Sequence, residues 1–390
     1  MPIRRLLIAN RGEIAIRIMR SAAARGIETV AVYSEDDAAS LHVRRADEAH
    51  ALSGTGARAY LDIERVIGLA AQTGCDAIHP GYGFLSENAA FARRCAEAGI
   101  RFVGPSPEVL DLFGDKAAAR AFAERVGAPV LSGAPGPTSL EDAAAFLASL
   151  GEGGAVMLKA VAGGGGRGMR LVERPEDLES LYKRCQSEAT SAFGRGDVYV
   201  EELIRHARHI EVQVAGDGQR AIHLWERECS LQRRNQKLVE IAPAPGLDPD
   251  LRRRLLETAE RMAAEAHFTN IGTFEFLVDA DQGGRFAFIE ANPRLQVEHT
   301  VTEEVTGIDL VDLQLSLAEG ATLASLGLSE APEPRGSAIQ LRVNLETMGA
   351  DGLAKPQGGT IAVFEPPSGP GVRVDTFGYA GYTTSPNFDS

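Results

Sequence analysis

Two stretches of this sequence hold residue types whose spacing could do chemistry. Val156 to Ala160 is a β-type run, Gly163-Gly164-Gly165-Gly166 and Gly168 follow, and Met169 to Val172 is β-type again. Each glycine costs on the order of 1 kcal/mol of extra ordering entropy, so four in succession ask for a reason. One reading is a hairpin loop whose bare backbone N–H groups close over phosphates. The other is a flexible hairpin tip. A Walker A loop is excluded, because Met169-Arg170 stands where Lys-Ser/Thr is required and a strand, not a helix, follows. Lys159 precedes the glycines and lies within reach of a nucleotide held beneath them, although a lone lysine at a strand end is more often a solvated charge.

The second stretch, Glu290-Ala291-Asn292-Pro293-Arg294-Leu295-Gln296-Val297-Glu298, alternates strictly. In an extended chain Glu290, Asn292, Arg294, Gln296 and Glu298 share one side. A solvent-facing strand would alternate in the same way. Pro293 cannot donate to a ladder, however, so the run must leave the sheet midway. Its mixture of acids, amide and guanidinium suits a metal–anion site. Glu275, in the strand GTFEF, could pair across to Glu290. Two carboxylates with an amide oxygen suit Mg²⁺, which takes hard oxygen ligands and keeps substrate phosphates as the rest.

The elements that must position these groups are legible in part. LLIA (residues 6–9) reads as a buried strand, and Ile14, Ile18 and Ala22 repeat as a helix face until Gly26 stops it. ETVAVYS is a second strand. A second cycle runs through a helix around Asp62–Thr73, the strand CDAIHP, the helix ENAAFARRCAEAG and the strand IRFVG. Such alternation predicts a parallel sheet covered by helices. The turn Asn10-Arg11-Gly12-Glu13 lacks the GxGxxG fingerprint, which argues against a nicotinamide dehydrogenase. Asp115–Val126 reads as a connecting helix, and the Gly/Pro/Ser-rich stretch 127–139 as a boundary. HIEVQVAGD, RAIHLWER, NIGTFEFLVDA and RFAFIEAN, with hairpin signals at 216–218 and 281–284, predict an antiparallel sheet. His223, in an apolar strand, reads as structural.

Composition sets the surroundings. The 390 residues suggest two to three domains, with 44% hydrophobic and 24% charged residues giving an ordinary globular core. A net charge of −14 disfavours nucleic acid and anionic membrane as partners. Cys75, Cys95, Cys185 and Cys229 have no CxxC spacing and read as reduced, buried thiols of a cytoplasmic protein.

RRLLIANRGEIAIRI, HPGYGFLSENAAFA, KAVAGGGGRGM, CSLQRRNQK, APAPG and IEANPRLQVEHTVTE together resemble biotin carboxylase, an ATP-grasp enzyme. The motifs run in order through nearly the whole chain. The resemblance implies a mixed α/β and α+β multidomain fold. A parallel-sheet pre-ATP-grasp domain (1–114) and a connecting helix (115–130) would precede a glycine-rich ATP-grasp lid (131–203) and an antiparallel-sheet domain (204–390). The family adds a further C-terminal segment, so the chain reads as cut or as part of a longer polypeptide.

The resemblance also implies roles. Lys116, Lys159 and His209 would hold the ATP phosphates and ribose, with Gly163, Gly164, Gly165, Gly166 and Gly168 as lid. Glu201 and the backbone near Leu203 would meet the adenine, and Gln232 and Asn235 would lie among the nucleotide contacts. Glu275, Glu290 and Asn292 would hold Mg²⁺, or Mn²⁺ in its place. Lys237, Arg294, Gln296 and Val297 would surround bicarbonate, with Glu298 as its base, and Arg342 would steady the biotin enolate. Asn235 departs from the family's usual His, and an amide cannot carry a positive charge near the phosphates.

The implied activity is ATP-dependent carboxylation of biotin, with a biotin carrier protein or domain and a carboxyltransferase as partners and a homodimer as the common assembly. No Met-Lys-Met tripeptide is present, so the biotinylated lysine is expected on another chain or beyond residue 390. Two other readings stand beside this one. One is a carbamoyl-phosphate-synthase-like enzyme, which also makes carboxyphosphate, and the other is a non-catalytic nucleotide-binding module.

Overall fold

A computed structural model describes residues 2–133, 136–161, 168–233, 235–350, 353–385 and 387–388. The N-terminal part alternates strand and helix: β1 (Arg5–Ile8), α1 (Gly12–Ala24), β2 (Glu28–Ser34), α2 (Leu41–Arg45), β3 (Glu48–Leu52), α3 (Ile63–Gln72), β4 (Ala77–His79), α4 (Ala89–Glu97) and β5 (Arg101–Phe102). Its five strands are all parallel, in the order β3-β2-β1-β4-β5. Leu6 and Ile8 enter one core and Leu7 the other, so both faces of β1 are buried, as parallel sheets require. Helix α1 ends before Gly26, whose φ of +69° is left-handed and suits glycine after a helix. The short α2 and β3 were not anticipated from the sequence, because neither carries a clear period.

Helices α5 (Pro107–Gly114) and α6 (Lys116–Arg125) lead out of this domain, and Asp115 caps α6 through the N–H groups of Ala117 and Ala118. A small module follows: α7 (Leu140–Ser149), β6 (Val156–Ala160), β7 (Met169–Val172), α8 (Leu178–Phe193) and β8 (Val198–Glu202). It has its own three-stranded sheet and its own core, including Leu147, Leu158, Val172 and Val200. Gly163 to Gly166 lie outside the described residues. Gly168 is described: its φ is +69°, and a Cβ there would stand 2.8 Å from Ala160 Cβ, so this position requires glycine.

The last large unit holds β9 (Ala207–Asp217), β10 (Ala221–Arg233), β11 (Gln236–Ala242), α9 (Pro249–Glu265), β12 (Thr269–Asp279), β13 (Phe286–Asn292), α10 (His299–Thr306), α11 (Leu310–Ala318) and β14 (Ala338–Leu341). Its six-stranded sheet is antiparallel in the order β13-β12-β9-β10-β11-β14, with turns at both hairpin signals. Helix α9 and the phenylalanines Phe113, Phe274, Phe276 and Phe288 fill one side. On the other side Ala215, Leu224, Ile271, Leu295 and Leu310 share a core with Leu6, Ile8 and Ile18 of the N-terminal domain. That shared apolar core fixes the antiparallel sheet against the parallel one. Short hairpins beyond residue 345 complete the described chain.

One expectation needs correction. Residues 290–298 do not form a continuous extended face: β13 ends at Asn292, and Glu298 stands in the turn that opens α10. Pro293 ends the ladder, and the chain then turns inward.

Candidate active site

Neighbouring strands bring one charged residue each into a single row. Arg227 of β10 is the Cα partner of Glu211 of β9, Glu211 of Glu275 of β12, and Glu275 of Glu290 of β13. The expected pairing of Glu275 with Glu290 is therefore present in the register. Lys237 of β11 reaches over this row. Its Nζ donates to Glu211 Oε2 at 2.5 Å, Glu275 Oε1 at 2.9 Å and Glu298 Oε1 at 2.8 Å. Glu298 is held from its other oxygen by Arg342 Nη2 at 2.9 Å, while Arg342 Nε donates to Glu240 Oε1 at 2.8 Å. The bend after Pro293 thus delivers Glu298 to Lys237 and Arg342.

Amide side chains complete the shell. Asn292 Nδ2 and Gln296 Nε2 donate to Glu275 Oε1 at 2.8 and 2.9 Å. Arg294 Nη2 donates to Asn292 Oδ1 at 3.1 Å, and its Nε lies 3.2 Å from Glu87 Oε2. His209 Nε2 lies 2.7 Å from Glu275 Oε2, an ion contact off the line of a good hydrogen bond. Ligand atoms of His209, Glu211 and Glu275 fall within 4.8 Å of one another, but the Lys237 ammonium already bonds two of those acids.

Electrostatics follow from burial and charge pairing. Burial pushes the Glu298 carboxyl up, but Lys237, with Arg342 and Arg227 and against Glu211, holds it below the ordinary carboxylate value. Burial likewise opposes ionisation of Glu275, and Lys237 and His209 overcome it. Lys237 is pushed down by burial yet held well above the usual lysine value by its three acids. Glu240 is the exception. Burial, only partly offset by Arg342 and reinforced by the charges of Glu298 and Glu211, raises it to about 7.

Lys237, Glu275, Glu298 and Arg342, with Asn292, Arg294 and Gln296, line one side of a cavity of about 1460 Å³. Glu211, Arg227 and Glu240 do not reach it, and Lys116, Lys159, Glu201, Gln232, Asn235 and Val297 line other parts of it. Lys116 opens α6, with Nζ 3.7 Å from Glu290 Oε2. Lys159 is paired with Glu201, which also has Arg120 Nη1 at 3.6 Å. Gln232 Nε2 lies 3.3 Å from His209 Nδ1. Asn235 sits in the β10–β11 turn with φ +64°, a left-handed backbone that asparagine tolerates better than most residues. Its backbone setting supplies a reason for that residue independent of the nucleotide. Leu203 stands apart from the expected set: it does not line the cavity, and its N–H is committed to Ala155 O at 3.0 Å. His223 lies outside the cavity, its Nδ1 accepting from the Trp225 N–H at 3.3 Å.

Sequence reasoning passed over Glu211, Arg227, Glu240 and Glu87. Glu211 and Gln213 are polar and two apart in the otherwise apolar stretch from Ile210 to Gly216 of β9, which is buried throughout. In the sequence that alternation reads as a half-exposed strand, and only the burial of both faces sets it apart.

Residues 2–110 match the family described as "Biotin carboxylase, N-terminal domain", and residues 115–326 that described as "Carbamoyl-phosphate synthase L chain, ATP binding domain". The chain is 48% identical over 394 residues to the pyruvate carboxylase of Schizosaccharomyces pombe, covering 99% of this chain and 33% of that protein. It spans about a third of the length of the curated relatives it matches. Among solved structures it is similar to the biotin carboxylase domain of a single-chain bacterial carboxylase, with a TM-score of 0.88 and 52% identity over 99% of this chain and 83% of that one. It is also similar to the biotin carboxylase domain dimer of Hydrogenobacter thermophilus 2-oxoglutarate carboxylase, solved with MgADP, ADP and bicarbonate. There the TM-score is 0.91 and the identity 42%, over 100% of this chain and 85% of that one. Among the described residues no helix is long and apolar enough to cross a membrane, and the four cysteines are free and buried.

Proposed function

The chain belongs to the biotin carboxylase family of ATP-grasp ligases, and on that premise we propose that it carboxylates biotin with bicarbonate at the expense of ATP. The observation that carries the reading is Glu298, ionised and fixed between Lys237 and Arg342 in a cavity that Lys116 and Lys159 also line.

Bicarbonate is a poor nucleophile. Glu298 takes its proton as a bicarbonate oxygen bonds to the γ-phosphorus and ADP leaves. Lys237, Arg294, Gln296 and Val297 surround the anion, Lys116, Lys159 and His209 hold the ATP phosphates and ribose, and Lys116 and Lys159 meet the moving group with positive charge. Glu275, Glu290 and Asn292 would hold Mg²⁺, or Mn²⁺ in its place, through hard oxygens, Glu275 through Oε2, the oxygen that Lys237 leaves unbonded, and the ion would supply charge neutralisation to the phosphates. Carboxyphosphate then yields CO₂ and phosphate. The phosphate takes the biotin N1 proton, Arg342, permanently charged, offsets the enolate, and N1 bonds to the CO₂ carbon to give N1-carboxybiotin. The Gly163–Gly168 run would close over the phosphates to exclude water.

The partners this reading requires are a biotinylated carrier protein or domain and a carboxyltransferase, with a second copy of the chain as a further partner; the cytoplasm is the proposed compartment. The test is ADP release with Mg²⁺, ATP and bicarbonate, with and without free biotin. Bicarbonate-dependent release stimulated by biotin is expected. Release stimulated by ammonium and not by biotin would replace the reading with carbamoyl phosphate synthesis, and no release from folded protein would leave a non-catalytic nucleotide-binding module.

A further inference from the structure

Arg227 is wholly inside the protein, its side chain 0% exposed, and every one of its guanidinium donors is used. Nε donates to Glu211 Oε1 at 2.6 Å. Nη1 donates to Gln213 Oε1 at 2.8 Å and Thr302 Oγ1 at 3.0 Å, and Nη2 to Gln296 Oε1 at 2.8 Å and Thr273 Oγ1 at 3.3 Å. An arginine has five N–H groups in a rigid planar fork, so none remains for a substrate. The acceptors come from β9, β12, the bend after Pro293 and α10. One side chain therefore fixes the relative positions of four segments.

Two of those acceptors touch the proposed bicarbonate shell directly. Gln296 accepts from Arg227 through Oε1 and spends Nε2 on Glu275, so Arg227 also decides which way the amide faces. Glu211 accepts from Arg227 through Oε1 and from Lys237 through Oε2, so the same guanidinium sets where the Lys237 ammonium is anchored. Thr302 lies one turn into α10, the helix that Glu298 opens, and ties that helix to the sheet. Buried ion pairs are often no more stabilising than apolar residues of the same volume, so stability alone does not account for this one. Lysine would keep the charge beside Glu211 but could not reach all five acceptors.

We propose that Arg227 is a positioning residue for the bicarbonate shell, acting through Gln296, Glu211 and Thr302 without touching substrate. This rests on the functional reading given above. The test compares the wild-type chain with Arg227→Lys and with Thr302→Val, which removes a single one of the five bonds. For each, KM for bicarbonate, KM for MgATP, kcat and the thermal midpoint are measured. Arg227→Lys is expected to raise the bicarbonate KM by about tenfold or more, the loss of one well-placed interaction, while the MgATP KM holds. Thr302→Val is expected to shift the bicarbonate KM in the same direction by less. If Arg227→Lys does not fold, Thr302→Val decides alone. Variants that lose thermal stability but keep the wild-type bicarbonate KM, or that raise both KM values equally, would overturn the proposal. A wild-type chain with no bicarbonate-dependent turnover would overturn the functional reading and this inference together, whereas an active wild type with unaffected variants overturns the inference alone.

Discussion

Replacing Lys237 by methionine removes the cation that, among the described residues, three buried acids share. In the native protein its ammonium lies within 2.9 Å of oxygens on Glu211, Glu275 and Glu298. Glu211 would keep Arg227 and Glu298 would keep Arg342, but Glu275 would be left with His209 and two neutral amides. Leaving a buried charge without its partner costs about 3–5 kcal/mol, unless a proton is taken up instead.

The sign with pH follows. Glu275 and Glu298 have depressed pKa values, so in the wild type their contribution is present above the ordinary carboxylate range and is lost as pH falls. With Lys237 gone that contribution goes. The stability deficit of Lys237→Met should be largest near pH 7 and narrow toward pH 4, as read from urea midpoints across that range. Activity should fall by about 10²–10⁴, the usual contribution of a general base, because Glu298 loses the largest of the charges that hold it ionised and the bicarbonate shell loses a cation. A second substitution isolates the cause. Lys237→Met with Glu275→Gln removes the stranded acid and should recover about 1–3 kcal/mol as coupling, while bicarbonate-dependent ADP release stays low. A single variant as stable and active as wild type, or a double variant no more stable than the single, would refute the charge argument.

Glu298→Gln should lower bicarbonate-dependent ADP release by about 10²–10⁴ while ATP-analogue binding by calorimetry stays near wild type; a matching loss of nucleotide affinity would contradict its role as base. Arg342→Ala should reduce biotin carboxylation more than biotin-independent ATP hydrolysis, and equal losses measured side by side would remove it from the biotin step. Glu240 has a folded pKa raised to about 7, so the folded state holds its proton more tightly than the unfolded chain. Its contribution is fully present below the ordinary carboxylate range and is lost as pH rises through about 7. Glu240→Gln should therefore flatten the decline in stability between pH 5 and 8 by on the order of 3 kcal/mol; an unchanged slope in denaturant midpoints would show that Glu240 is not the titrating group.

Much of the architecture was legible because its physical causes are local. A run such as ETVAVYS reads as strand from its side chains alone, the four-residue repeat of Ile14, Ile18 and Ala22 reads as helix, and both hairpin turns were marked by Gly and Asp. The 290–298 run was misread as one extended face because alternation survives in a sequence whether or not the backbone stays straight, and the bend depends on what Leu295 finds to bury itself against. Arg227 and Glu211 escaped notice because a charged residue in a strand ordinarily marks the wet face, and only the packed sheet shows that this face is covered.

The sequence by itself therefore determined the elements, the family motifs and the inventory of acids, amides and cations near the cavity, since each depends on neighbours a few positions apart. The tertiary structure alone decided which charge meets which. Strand register put Arg227, Glu211, Glu275 and Glu290 in one row, and the shared apolar core held the parallel sheet against the antiparallel one. The turn into α10 swung Glu298 onto Lys237 and Arg342. Ionisation of a buried acid depends on charges a few ångströms away in space, and those partners come from residues as far apart as 211 and 342.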